Sequence, residues 1–148
     1  MLLIFSILFF CGCASEKKED VIMKYINANF KNMNSNKESC VFIISERGCV
    51  NCNREMSKVA TKFLDMQDIY VVVNANAGGT LVDISPYWEA KKKDQISYDT
   101  AGYFIGHDMQ LSYAIFVVNN KVDTIIDSDA RRILDNRDYI TQRIIKTK

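Results

Sequence analysis

The chain is poor in the residues on which many metal and acid–base sites depend. Its 148 residues include one histidine, His107, and one proline, Pro86. A single imidazole leaves little from which to build a His-based zinc site or a Ser-His-Asp triad. A surplus of one charge is also missing, with 19 basic against 18 acidic residues. No strong field exists to draw nucleic acid. The only cationic run, Lys91-Lys92-Lys93, reads as a solvated face. Internal repeats and Pro/Gly/Ser-rich linkers are absent. What remains is one domain of ordinary size, with 48% hydrophobic residues to fill a core.

The first dozen residues differ in kind from the rest. Leu2-Leu3-Ile4-Phe5-Ser6-Ile7-Leu8-Phe9-Phe10 is apolar apart from one serine. It falls short of the ~20 residues a membrane span requires and fits the apolar part of a secretory signal. Phe10-Cys11-Gly12-Cys13 resembles a bacterial lipobox, in which small residues precede the cysteine that is lipidated. Cys13 is the better lipidation candidate, since Gly12 precedes it and Ala14-Ser15 follow. The expected division is a signal peptide over 1–12, a lipidated tether over 13–20 and a folded domain over 21–148. The alternative is a buried N-terminal strand or helix.

Along the mature chain, Val21, Ile22, Tyr25, Ile26, Phe30 and Met33 recur at helical spacing. Val41-Phe42-Ile43-Ile44 reads as a buried strand. Cys52, Met56, Val59, Ala60, Phe63 and Leu64 form the stripe of a second helix, and Ile69-Tyr70-Val71-Val72-Val73 a second strand. Beyond Asn76 the pattern weakens: a short helix is expected within Tyr87 to Lys93 and a scrap of strand at Tyr103-Phe104-Ile105. Ala114-Ile115-Phe116-Val117-Val118 is a third strand. Asn119-Asn120 supplies a tight turn, because asparagine tolerates positive φ, and Lys121 to Ile126 the return strand. Asp129-Ala130 is the expected cap of a last helix with the face Ile133, Leu134, Ile140, Ile144 and Ile145. Fully apolar strands require cover on both sides, so the fold class is α/β, a central mixed sheet with helices on both faces.

One motif carries chemistry. Cys49-Val50-Asn51-Cys52 lies between the first strand and an amphipathic helix. A helix start leaves N–H groups unpaired and carries a partial positive charge, which favours a thiolate. Positions i and i+3 share a helix face, so the second sulfur is in reach of the first. Cys49 is then the attacking sulfur and Cys52 the resolving one, in an exchange that needs no metal, nucleotide or other cofactor. The same spacing also fits half of a zinc site completed by Cys40 and His107, or an inert structural disulfide. Cys40 reads as a small buried hydrophobe, Trp88 as core filler, His107 as an exposed loop residue, and Tyr98, Tyr103, Phe104 and Tyr113 as packing.

The sequence Cys49-x-x-Cys52-x-x-Glu55-Met56 resembles the C-x-x-C-x-x-E-M signature of membrane-anchored thioredoxin-like oxidoreductases, the branch serving cytochrome c maturation and other envelope thiols. The order of strands and helices is similar over most of the mature chain. The resemblance implies a thioredoxin-like fold, Cys49 and Cys52 as the redox pair, envelope protein thiols or disulfides and a redox partner protein as partners, and a lipid-anchored place in the bacterial cell envelope, periplasmic or outer membrane. The family usually has an aromatic residue where this chain has Gly48. The buried acid that takes the second cysteine's proton falls at about Ile43, leaving Glu46 and Glu55 as substitutes. The family's cis-proline, beside the cysteines at the start of the third strand, is replaced by Leu111-Ser112-Tyr113, which makes Ser112 and Tyr113 the candidate substrate-binding residues. Two functions follow as expectations: a thiol–disulfide oxidoreductase, or a catalytically weak binding module on the same fold.

Overall fold

The computed structural model describes residues 16–34, 36–74 and 83–147. The apolar run over 1–12 and the candidate lipidation residue Cys13 lie outside the described residues.

A mixed sheet of five strands forms the centre, in the order β3-β2-β1-β4-β5. The inner strands β1 (Ser39–Ser45) and β2 (Ile69–Asn74) are buried along their whole length, as apolar runs covered on both faces must be. They pair in parallel, and β3 (Ile96–Tyr98) extends the parallel part. On the other side β4 (Tyr113–Val118) runs antiparallel to β1, and β5 (Lys121–Asp127) antiparallel to β4. Asn119 and Asn120 turn this hairpin with φ of 52° and 58°, the two positive values a tight two-residue turn demands.

Alternate side chains of each strand feed two cores. Phe42, Ile44, Val71, Val73 and Phe116 point to the face covered by α2 (Val50–Phe63), α3 (Ser85–Glu89) and α5 (Ile133–Lys146). Val41, Ile43, Val72, Ile115 and Val117 point to the face covered by α1 (Lys18–Asn29) and α4 (Tyr103–Gly106). The α1 helix runs against the direction of β1. Its start lies near β4's first residue, with Lys18 Nζ 4.3 Å from the Tyr113 ring centre, and Tyr113 pairs with Ile43 near the end of β1. Its finish lies at the other end of the sheet, where the Phe30 and Tyr70 rings are 5.0 Å apart.

Several expectations are corrected. Residues 18–20, assigned to the tether, form the first turn of α1. Tyr103-Phe104-Ile105 is helical, because Gly102 takes φ of 73° and both carboxylate oxygens of buried Asp99 accept from the N–H groups of Tyr103 (2.8 Å) and Phe104 (3.0 Å). The short edge strand β3 lies where none was expected. The last helix begins at Ile133 rather than beside Asp129, whose carboxylate instead accepts from the Arg131 backbone and guanidinium. On that helix Ile140 and Ile144 are buried, whereas Leu134 and Ile145 are each 56% exposed. Trp88 is 56% exposed too, stacked on Tyr98 at 4.3 Å rather than filling the core. No helix among the described residues is long and apolar enough to cross a membrane.

Candidate functional site

The site stands where β1 ends and α2 begins. Residues 46–48 bridge the two, and Gly48 makes the connection with φ of +80°. Side-chain-bearing residues avoid that region, and here a Cβ would also come within 2.9 Å of Leu111 Cδ2. This backbone is the physical reason for glycine where the resembling family places an aromatic ring. The space a Cβ would need is thus occupied by Leu111, from the segment before β4.

Cys49 and Cys52 are disulfide-bonded, with their Cα atoms 5.2 Å apart. Cys49 is the N-cap of α2, and its Sγ accepts from the Cys52 N–H at 3.3 Å. The sulfur therefore occupies the place of a capping oxygen, facing the positive end of a 14-residue helix. Cys49 is half-buried, whereas Cys52 is 2% exposed and begins the buried stripe that continues through Met56, Val59, Ala60 and Phe63. One sulfur is offered to solvent and the other is screened behind it.

Two acids stand near in sequence. Glu46 is 5% exposed, and burial pushes its carboxyl above the ordinary range. Glu55 is held below it by hydrogen bonds, from Lys58 at 2.6 Å first and then Arg137 at 3.4 Å, so it stays ionised. Of the two, Glu46 is the carboxyl whose environment favours holding a proton. Ile43 faces the α1 core.

Ser112 and Tyr113, the candidate substrate-binding residues, lie beside this loop with both side chains buried. Ser112 is 0% exposed, and its Oγ accepts from the Ser45 N–H at 2.9 Å. Tyr113 is buried in the core under α1. Their inward orientation follows from the sheet: Tyr113 pairs with Ile43 in register, and the Ser112 hydroxyl carries the β1–β4 contact past the last paired residues.

One residue of the site has no counterpart in the sequence reading. Asn53 is 0% exposed, directly after Cys52. Its Nδ2 donates to the Arg47 carbonyl, and its Oδ1 accepts from the Ser112 N–H (3.2 Å) and the Ser128 hydroxyl (3.0 Å). A polar residue on a buried helical stripe, four positions past Cys49, was the available signal.

The other cysteine and the histidine do not join the pair. Cys40 is buried near the opposite end of β1, and burial holds its thiol protonated, far above the ordinary range. His107 ends α4, with Nδ1 2.7 Å from the Tyr103 carbonyl oxygen. Among the described residues no three His, Cys, Asp or Glu side chains are grouped as metal ligands would be. Comparison with family models, with curated proteins and with solved structures gives no match.

Proposed function

We propose that this protein is a thiol–disulfide oxidoreductase with a thioredoxin-like fold, held in the bacterial cell envelope by lipid on Cys13. The observation that carries the reading is the Cys49–Cys52 disulfide at the start of α2, one sulfur half-exposed as the helix cap and the other buried behind it. In the reduced protein the Cys49 thiolate attacks one sulfur of a substrate disulfide. A mixed disulfide forms and one substrate thiolate leaves. The Cys52 thiolate then attacks Cys49 Sγ, the second substrate thiolate leaves, and the intramolecular disulfide is restored with two electrons passed to the substrate. The partners are envelope proteins bearing thiols or disulfides, and a reductant protein that reopens the pair. The order β1, α2, β2, then an antiparallel hairpin and a last helix supports the thioredoxin-like assignment.

The test is turnover by the purified full chain in detergent, with glutathione disulfide and with insulin as substrates. Cys49→Ser is expected to abolish covalent capture of a substrate and Cys52→Ser to accumulate it. At mildly acidic pH, Cys49 should alkylate before Cys52 and Cys40. A pair that cycles between thiol and disulfide but turns over neither substrate overturns the enzyme in favour of the binding module. Equal labelling of both sulfurs overturns the assignment of the nucleophile.

A further inference from the structure

Behind the disulfide lies a cluster of buried polar side chains that the exchange chemistry does not use: Ser45, Asn53, Ser112 and Ser128, all at most 2% exposed. Their bonds join three separate stretches of chain. Ser45 Oγ donates to the Gln110 carbonyl at 2.7 Å and accepts from the Arg47 N–H at 3.1 Å. Asn53 Nδ2 takes the Arg47 carbonyl from the other side. Both polar groups of residue 47's backbone are thus held, one residue before Gly48 and two before Cys49. The Ser112 N–H is shared between Asn53 Oδ1 and Ser128 Oγ (3.1 Å), while the Ser128 N–H donates to the Ser112 carbonyl at 2.9 Å. The start of β4 and the end of β5 are fastened by the same side chains that fasten the loop.

We infer that Asn53 and Ser112 are positioning residues for Cys49: the Asn53 amide fixes the Arg47 carbonyl and the start of β4, the Ser112 hydroxyl fixes the Ser45 N–H at 2.9 Å where the loop leaves β1, and together they keep the Cys49 sulfur at the start of α2, against the Cys52 N–H, where its thiolate is stabilised. The inference rests on the disulfide-exchange reading of the site. Its physical basis is leverage. With both backbone groups of Arg47 tied, the rotations left between that residue and the cap are those of Gly48, at φ of +80°. Released from Asn53, the Arg47 carbonyl is free to turn, and Cys49 Sγ loses its registry with the Cys52 N–H. A polar network that loses one member also leaves the others unpaired, so the loop does not settle back into the same geometry.

The test uses the full chain with Cys52→Ser, in which Cys49 is followed by mass spectrometry during iodoacetamide alkylation across pH. Asn53→Ala and Ser112→Ala should each raise the midpoint of Cys49 alkylation by about half a pH unit or more, the size a helix-end interaction carries. Ser57→Ala is the control: it removes another buried hydroxyl of α2, bonded to Tyr87 Oη at 2.7 Å rather than to any of residues 45–49. It should lower thermal stability and leave the midpoint in place. Midpoints unchanged in folded Asn53→Ala and Ser112→Ala proteins overturn the inference, as does an equal shift in Ser57→Ala. If Asn53→Ala fails to fold, Ser112→Ala alone decides, since it deletes a single acceptor. Failure of the oxidoreductase reading shows separately, as absent turnover in the parent chain, and does not alter the comparison of midpoints.

Discussion

Glu46 and Ser112 are both buried beside the disulfide loop, and each gives a measurement. Burial disfavours the charged form of Glu46, so the folded chain binds its proton more tightly than the unfolded chain. Between the unfolded and the raised folded value the native state therefore holds more proton, and stability falls as pH rises through that window. At neutral pH the full cost is present. Glu46→Gln should accordingly raise the melting temperature at pH 7, with the gain shrinking towards zero as pH falls below the unfolded carboxylate value. A melting-temperature series in pH checks the sign. At Ser112 a proline would break the network, because the Ser112 N–H donates to both Asn53 and Ser128 and proline has none to give. Ser112→Pro is expected to cost about 2–4 kcal/mol of stability, measured by urea unfolding, through the loss of a buried donor that two acceptors share.

Among the elements, α5 is tied to the sheet edge most widely by one residue of its last turn. Arg143, in its last turn, donates to Glu38 (2.7 Å), Asp123 (2.6 Å) and Thr124 (2.8 Å), and its guanidinium carbon lies 4.2 Å from the Phe116 ring centre. This joins the helix to the start of β1, to β4 and to β5. Arg143→Ala should destabilise by about 1–3 kcal/mol, and Arg143→Lys should recover little of it, since an ammonium lacks the planar fork that serves several acceptors at once. Denaturant titration of both variants tests this. The same helix shows where sequence patterning stops. Strands β1, β2 and β4 were legible because each is an apolar run inside a covered sheet, and α2 because its stripe repeats every three or four residues. The hairpin turn followed from Asn119-Asn120. By contrast, β3 has three residues, too few for a period to register. Tyr103-Phe104-Ile105 has strand-like residues, but the Asp99 side chain, four positions earlier, supplies the helix start, and such a bond shows only after folding. On α5 the apolar residues outnumber those the sheet covers, so Leu134 and Ile145 remain outside. At the site, the cysteines stand out by their spacing, whereas Asn53 gains its meaning from residues 47, 112 and 128, which only the fold brings together.

For the molecule as a whole, the direction of α1 would set how far the disulfide can travel under the lipid anchor proposed above. The helix starts at the same end of the sheet as Cys49, and just before it a Glu16 carboxylate oxygen lies 3.8 Å from His107 Nε2. Cys13 is three residues earlier, no more than about 10 Å of fully extended chain. With lipid on Cys13, as proposed above, the leash is short and it is tied to the reactive end. The protein would then hang with its sulfurs towards the bilayer, sampling a thin layer of the envelope rather than its full depth. Partners would be selected by altitude before chemistry: disulfides close to the lipid headgroups are met often, and those carried far from the surface seldom. Lengthening the leash by 20 Gly/Ser residues, about 25 Å of average reach, should broaden the set of proteins trapped by Cys52→Ser and weaken the capture of those trapped with the natural length. An identical set at both lengths, identified by mass spectrometry of the mixed disulfides, would mean that the leash imposes no ceiling.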